Sequence, residues 1–200
     1  MSAPSGRIDF PAAILAGGKS RRMGRDKAFL PMEGRPAVSR VADSLKGIFS
    51  DVFVVANDPP PYEALGFRVV VDILEGNDSL GGLHAAVASV GGGHVFVTGC
   101  DMPSLQAPLL KGLASQAEGW DVVVPIVRDF SEPLCAVYGS DCEAPIRSRI
   151  EAGELKMIGF YTDVRVKRVE EAEWRPWDPD ALSFRNLNTP GEYEEAAGGN

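Results

Sequence analysis

The sequence has few of the residues that build disulfide frameworks or zinc sites. It contains three cysteines, Cys100, Cys135 and Cys142, and two histidines, His84 and His94. The cysteines are odd in number and form no C-x-x-C pair, so we expect free thiols, most of them buried, rather than disulfides or structural zinc. Both histidines stand among apolar residues and are expected to be structural. Any metal bound by this chain is therefore expected to have oxygen ligands.

The sequence also lacks long apolar runs. No run approaches the roughly 20 residues that a membrane-spanning helix requires, and the opening "MSAPSGRIDFPAA" has no basic-then-apolar signal. The composition, 44% hydrophobic and 24% charged, is that of an ordinary globular protein. Two hundred residues suit one domain. We expect a single cytoplasmic domain over 1–200, frayed at 1–8 and 196–200, with no membrane contact.

Positive charge is scarce overall but concentrated near the start of the chain. The net charge is −8, yet residues 1–50 contain nine Lys or Arg against four Asp or Glu. The stretch "AILAGGKSRRMGRDKAF" (13–29) has five basic residues and one acidic residue directly after an apolar run. This local excess favours binding of a small polyanion, and the negative net charge argues against general nucleic-acid binding.

Apolar runs and turn residues alternate along the chain. Uninterrupted apolar runs are typical of parallel strands covered on both faces, so the pattern predicts an α/β fold, a three-layer doubly wound and mostly parallel sheet. The predicted strands are 10–16, 51–57, 67–72, 94–101, 120–126, 133–139 and 164–170. The predicted helices are 36–49, 81–90, 104–118, one from residue 140 or 141, and one from Pro190 with a Thr-x-x-Glu capping box.

Polar residues follow four of the predicted strands. The Gly-Gly and basic segment follows the first strand, and Asn57, Asp72 and Asp101 follow the next three. Each of these residues alone also fits a turn. Because the carboxyl ends of parallel strands meet at one edge of a sheet, the set predicts a phosphate site with an attached divalent cation.

Two common phosphate-binding motifs are excluded. The "GKS" at 18–20 resembles the end of a P-loop, but Ala13 stands where that motif needs its first glycine. The dinucleotide fingerprint G-x-G-x-x-G also fails, because Lys19 occupies the position of its second glycine. The basic segment is therefore predicted to be a different kind of phosphate loop.

The segment "LAGGKSRRMGRDKAFL" (15–30) resembles the signature L-A-G-G-x-S-x-R-M-G-x-D-K of nucleotidyltransferases with the Rossmann-like nucleotide-diphospho-sugar transferase fold. Within them the chain is most similar to the molybdenum cofactor guanylyltransferase family. Further matching segments, in the family's order and near its spacing, are "VVAND" (54–58), "VVVDILEGNDSLGGLHA" (69–85), "GCDMP" (99–103) and "FRNLNTPGEY" (184–193). The resemblance implies transfer of GMP from GTP to molybdopterin with release of pyrophosphate.

The resemblance also implies roles for the residues of the nucleotide side. Leu15, Ala16 and Gly17 would line the guanine and ribose, and Asn57 and Asp72 would hold base or ribose groups. The glycines at 17 and 18 would let backbone amides approach phosphate oxygens without a Cβ in the way.

The same resemblance assigns the catalytic roles to Lys27, Asp101 and Arg22. Lys27 and Arg22 would neutralise the β- and γ-phosphates, and Asp101 would ligate Mg²⁺. The attacking group would already be a phosphate anion, so no general base is required and catalysis would rest on positioning and charge neutralisation.

On the acceptor side, Gly82, Glu132, Asn186 and Asn188 would face molybdopterin, although local turn bonding explains the two asparagines equally well. The resemblance further implies transient contact with other cofactor-biosynthesis proteins or with molybdoenzyme chaperones. One segment departs from the family: "DSLGG" (78–82) replaces G-P-L-A-G. The alternatives are a related enzyme that uses CTP with molybdopterin, one that acts on a sugar phosphate, and a non-catalytic nucleotide-binding subunit.

Overall fold

The structure, a computed structural model, describes residues 6–16, 26–32, 34–72, 74 and 78–187. Its strands are β1 (Ala12–Leu15), β2 (Pro31–Met32), β3 (Arg35–Pro36), β4 (Val52–Val55), β5 (Arg68–Val70), β6 (His94–Gly99), β7 (Val122–Val127), β8 (Phe130–Ser131), β9 (Cys135–Gly139) and β10 (Val166–Val169). Its α-helices are α1 (Ala37–Leu45), α2 (Pro60–Glu63), α3 (Asp78–Ala88), α4 (Ala107–Ala114), α5 (Glu143–Glu151) and α6 (Glu171–Trp174). Short 3-10 helices occupy Lys27–Phe29, Ser140–Cys142, Gly159–Asp163 and Leu182–Phe184.

One sheet organises the described part of the chain, with strand order β10-β7-β9-β6-β1-β4-β5 and β8 paired to β7. Strand β9 runs antiparallel to both of its neighbours, while the pairs β1–β4, β1–β6, β4–β5 and β7–β10 are parallel. The chain builds β4 and β5 on one side of β1 and then returns to place β6 on the other side. This reversal at β1 is the topological switch point, where doubly wound sheets bind ligands.

Strands β1 and β4 are apolar throughout because both faces of the sheet are covered there. Ala12 and Ile14 of β1 belong to a buried cluster with side chains of α1 and α4, and Ala13 and Leu15 belong to a second cluster with α3 and α5. The predicted three-layer α/β architecture is confirmed. None of the described helices is long and apolar enough to cross a membrane.

Two predicted helices are shorter than expected. Helix α1 ends at Leu45 rather than near residue 49, because Gly47 takes a φ of 80°, a backbone region that favours glycine. Phe49 instead forms a parallel bridge with Ile8, so that Ile8 is held although it lies in the stretch expected to be frayed. Helix α4 begins at Ala107 rather than at residue 104, because the Gln106 amide donates to the Ser183 hydroxyl at 2.9 Å.

The cysteines and histidines occupy largely structural positions. Cys135 and Cys142 are buried, and Cys100 is partly buried. His84 has no exposed surface, and burial lowers the pKa of its ring. The sequence predicts apolar surroundings for His94. In the structure its Nε2 also has a polar partner, because it donates to the Trp120 carbonyl at 3.0 Å.

Candidate active site

The three predicted strand-end residues with described positions lie at one edge of the sheet. Asn57, Asp72 and Asp101 follow β4, β5 and β6, which together with β1 are adjacent and mutually parallel. In the register of the sheet, Leu15 is the partner of both the last residue of β4 and the last residue of β6. Parallel strand ends therefore gather these polar groups beside the switch point, as the sequence pattern predicts.

Asn57 and Asp72 contact each other at this edge. The Asn57 Oδ1 atom accepts the Asp72 backbone N–H at 3.2 Å, and the Asp72 Oδ1 atom accepts the Leu74 N–H at 2.9 Å. Asp72 is buried, whereas Asn57 is exposed. The Asn57 side chain is thus tied to the backbone that follows β5, and the Asp72 side chain is tied to the turn after it, so both residues also have a local structural role.

The Asp101 carboxylate lies against the end of β6. A Cβ placed on Gly99 would come within 2.5 Å of the Asp101 Oδ1 and 3.5 Å of the Leu134 Cδ1, so a larger residue at 99 would displace the carboxylate. Burial raises the pKa of Asp101, and a backbone hydrogen bond and the positive charge of Lys27 only partly oppose this shift. A partly buried carboxylate in this state is suited to binding a cation.

Glu132 approaches Asp101 from the strand on the other side of β6. Because β9 is antiparallel to β6, the segment that leads into β9 lies at the carboxyl edge, with Cys135 opposite Thr98. Burial raises the pKa of Glu132, and the charge of Asp101 raises it further. The Tyr138 hydroxyl donates to the Pro133 carbonyl at 2.8 Å and so fixes this segment.

The acceptor-side residues come from three distant parts of the chain. The Leu187 N–H donates to the Asp101 carbonyl at 2.9 Å, which brings the exposed Asn186 beside the same strand end. Gly82 lies in α3 and packs on Leu15; an added Cβ would be 3.6 Å from the Leu15 methyl groups and 3.9 Å from the Val55 Cγ1. Gly82 therefore packs on Leu15, which is predicted to line the nucleotide, although Gly82 itself is predicted to face the acceptor.

Lys27 begins the 3-10 turn Lys27–Phe29, and its charge acts on both Asp101 and Cys100. Burial is the main reason why the pKa of Cys100 is raised to about 12, so its thiol stays protonated at neutral pH. The other predicted phosphate and acceptor residues, Gly17, Gly18, Arg22 and Asn188, lie outside the described residues, as does the helix predicted from Pro190.

Among the described residues, no group of three or more His, Cys, Asp or Glu side chains is arranged to hold a metal. This arrangement is compatible with Mg²⁺, which commonly binds proteins through one or two carboxylates and completes its shell with substrate phosphates and water. Asp101, the residue predicted to ligate Mg²⁺, is partly buried and lies at the switch point.

Sequence reasoning did not single out two tyrosines at this edge, Tyr62 and Tyr138. Both have buried rings, and both hydroxyls bind the backbone of a segment that borders the site. A usable signal is present in the sequence: a buried tyrosine must find a partner for its hydroxyl, and "PPPYEAL" and "CAVYG" each contain one tyrosine in an otherwise helical or apolar pattern.

Comparisons with known proteins agree with this geometry. The family model of the MobA-like NTP transferase domain matches residues 12–164. The chain is 38% identical over 185 residues to the molybdenum cofactor guanylyltransferase of Desulfosudis oleivorans, covering 92% of each chain. It is 33% identical over 186 residues to the molybdenum cofactor guanylyltransferase of Syntrophotalea carbinolica, covering 92% of this chain and 89% of the relative.

Solved structures show the same fold. Molybdopterin-guanine dinucleotide biosynthesis protein A from Archaeoglobus fulgidus superposes with a TM-score of 0.78 at 25% identity, covering 94% of this chain and 97% of that one. A putative protein from Aquifex aeolicus superposes with a TM-score of 0.75 at 28% identity, covering 92% and 96%. The switch-point edge, the family model and these relatives lead to one conclusion: the chain is a nucleotidyltransferase and belongs to the MobA-like NTP transferases, among the molybdenum cofactor guanylyltransferases.

Proposed function

We propose that this enzyme transfers GMP from GTP to the terminal phosphate of molybdopterin and releases pyrophosphate. The observation that carries the proposal is the partly buried Asp101 carboxylate at the switch point, with its pKa raised by burial and with the Lys27 charge close by. A site of this kind binds a cation and an anion together, as a nucleoside triphosphate with its magnesium requires. The names of the guanylyltransferase relatives support guanine as the base, and the name of the Archaeoglobus fulgidus protein supports molybdopterin as the acceptor.

In the proposed reaction an oxygen of the acceptor's terminal phosphate attacks the α-phosphorus of GTP in line. The bond from the α-phosphorus to the bridging oxygen breaks, and pyrophosphate leaves with the electron pair. Lys27, together with Arg22 from the preceding segment, neutralises the departing phosphates. Asp101 would hold Mg²⁺, which would draw negative charge from the phosphate oxygens.

The chain supplies orientation rather than acid–base chemistry in this scheme. The two histidines are committed elsewhere, His84 to the interior and His94 to the Trp120 carbonyl. Leu15 and Ala16 border the base and ribose, with Asn57 and Asp72 on the same side. Glu132 and Asn186 border the acceptor, close enough to Asp101 for the phosphate nucleophile to meet the α-phosphorus.

The test is pyrophosphate release by the purified full chain with Mg²⁺, using GTP or CTP, with and without molybdopterin. We expect release that requires both GTP and molybdopterin, together with formation of the guanine dinucleotide. Preference for CTP would replace the guanine assignment, and turnover with a sugar phosphate instead of molybdopterin would replace the acceptor. Nucleotide binding without turnover under every condition would indicate a non-catalytic subunit.

A further inference from the structure

The ring of Tyr62 is buried in the core, and its hydroxyl points at two acceptors on either side of the basic segment. The hydroxyl lies 3.0 Å from the Ala16 carbonyl oxygen and 2.9 Å from the Asp26 Oδ2. The ring is only 2% exposed, so water does not compete freely for these contacts. Tyr62 therefore joins the residue that ends β1 to the residue that precedes Lys27.

Asp26 transmits this contact to the turn that carries Lys27. Its second carboxylate oxygen, Oδ1, accepts the Ala28 N–H at 3.0 Å and caps the 3-10 turn Lys27–Phe29. The Phe29 ring packs against the Tyr62 ring with centroids 4.8 Å apart. The turn is thus held to Tyr62 by a hydrogen bond before Lys27 and by a ring contact after it.

The hydroxyl remains a donor across the working pH range. Burial raises the pKa of Tyr62, and the negative charge of Asp26 raises it further. One phenolic proton is shared between two acceptors, a carbonyl and a carboxylate, and hydrogen bonds to an ionised acceptor are the stronger kind. The link from Tyr62 to Asp26 is therefore both strong and directional.

We propose that Tyr62 is a positioning residue for nucleotidyl transfer, which fixes the Lys27 turn against the carboxyl end of β1. Because β1 and β6 are adjacent in the sheet, this also fixes the backbone of the Lys27 turn relative to the strand end that carries Asp101. The inference rests on the proposed function, in which Lys27 neutralises the triphosphate. Tyr62 itself touches no substrate in this scheme and acts through Asp26 and Lys27.

The test is a double-mutant cycle with Tyr62→Phe and Lys27→Ala, measured as kcat/KM for GTP. Tyr62→Phe keeps the ring contact with Phe29 and removes only the hydroxyl, so we expect a fall of about tenfold, as for one lost bond to a charged group. In the Lys27→Ala background the same change is expected to cost less than about twofold, because its effect passes through Lys27. Equal losses in both backgrounds would overturn the proposal.

Cys142→Ala is the matched control. The Cys142 thiol is also buried, at the amino-terminal edge of the sheet, and contacts the Asp121 carbonyl oxygen at 3.2 Å. We expect this variant to lower the melting temperature by an amount similar to Tyr62→Phe while leaving kcat/KM unchanged. If the two variants lose activity equally, Tyr62 contributes only packing and the inference is wrong.

Failure of the proposed function has a separate signature. If the wild-type chain transfers no GMP, the dissociation constant of Mg²⁺–GTP, measured by titration calorimetry, replaces kcat/KM in the same cycle. If Tyr62→Phe weakens Mg²⁺–GTP binding in the wild-type background but not in the Lys27→Ala background, the result supports the proposal that Tyr62 positions Lys27. Unchanged binding by Tyr62→Phe overturns it.

Discussion

At the amino-terminal edge of the sheet, the Asp121 carboxylate is paired with an arginine side chain. At the carboxyl-terminal edge, the Asp101 carboxylate lies where burial disfavours its charged form. Asp121, just before β7, accepts the Arg165 guanidinium at 2.6 and 3.0 Å and the Arg165 N–H at 2.8 Å. These bonds lower the pKa of Asp121 below its usual range. Burial instead raises the pKa of Asp101.

The difference separates a carboxylate that stabilises the fold from one that is poised for a ligand. Asp121 is matched by the protein itself, so its charge is already compensated without any bound group. Asp101 carries a desolvation penalty that a bound cation relieves, and perturbed groups of this kind cluster at functional sites. Removing each aspartate is therefore expected to damage different properties.

The largest expected effect is on turnover in Asp101→Asn. The amide keeps the size of the side chain and loses the charge that is proposed to bind Mg²⁺, so kcat/KM is expected to fall at least about a hundredfold. The melting temperature is expected to stay the same or rise, because a desolvated carboxylate has been removed. Activity within about threefold of wild type, at any Mg²⁺ concentration, would remove Asp101 from the metal site.

Lys27→Ala is expected to have the next largest effect on turnover. Losing one charge-assisted contact to the triphosphate costs about 1.5 to 3 kcal/mol, which raises the apparent KM for GTP and slows transfer. Lys27→Arg keeps the charge and is the matched variant, expected to recover part of the loss. Steady-state kinetics with GTP as the varied substrate measures both, and an unchanged rate in Lys27→Ala would assign the phosphates to another cation of the segment.

Asp121→Asn is expected to lower the stability of the fold and to leave turnover nearly unchanged. Arg165 is largely exposed, so the pair is discounted for solvent screening, and the loss of unfolding free energy is about 1 to 2 kcal/mol. Urea denaturation measures this loss, and kcat/KM of the folded enzyme is expected to stay near wild type. A variant with full stability and reduced turnover would contradict the division between the two edges.

The smallest expected effect is a difference in acid sensitivity. The stability that Asp121 contributes is present above the usual Asp pKa of about 3.9 and is lost only as the pH falls through its lowered pKa. Protonation of Asp101 occurs at a higher pH, so Mg²⁺-dependent activity should fall while the near-ultraviolet circular dichroism is unchanged. Raising the Mg²⁺ concentration should move the acid limb of the pH–activity profile to lower pH. An acid limb that does not respond to Mg²⁺ would exclude Asp101 as its cause.

The sequence was sufficient to predict the strand-end positions because buried parallel strands are continuous apolar runs, and the first polar residue marks where each ends. Asn57, Asp72 and Asp101 were located in this way. The position of Glu132 near Asp101 was assigned from family resemblance alone, because it depends on β9 running antiparallel beside β6. Tyr62 escaped prediction because its two acceptors are 46 and 36 residues away.

The hydrogen bond from Leu187 to the Asp101 carbonyl has a consequence for how the enzyme is made. Strands β1, β4, β5 and β6 all precede residue 100, so the residues proposed for the nucleotide side are synthesised before the segment that contains Leu187. Asn186 can reach the Asp101 end of β6 only after the intervening chain, which includes β7, β9 and β10, has been synthesised. A nascent chain that stops before Leu187 lacks this contact with Asp101.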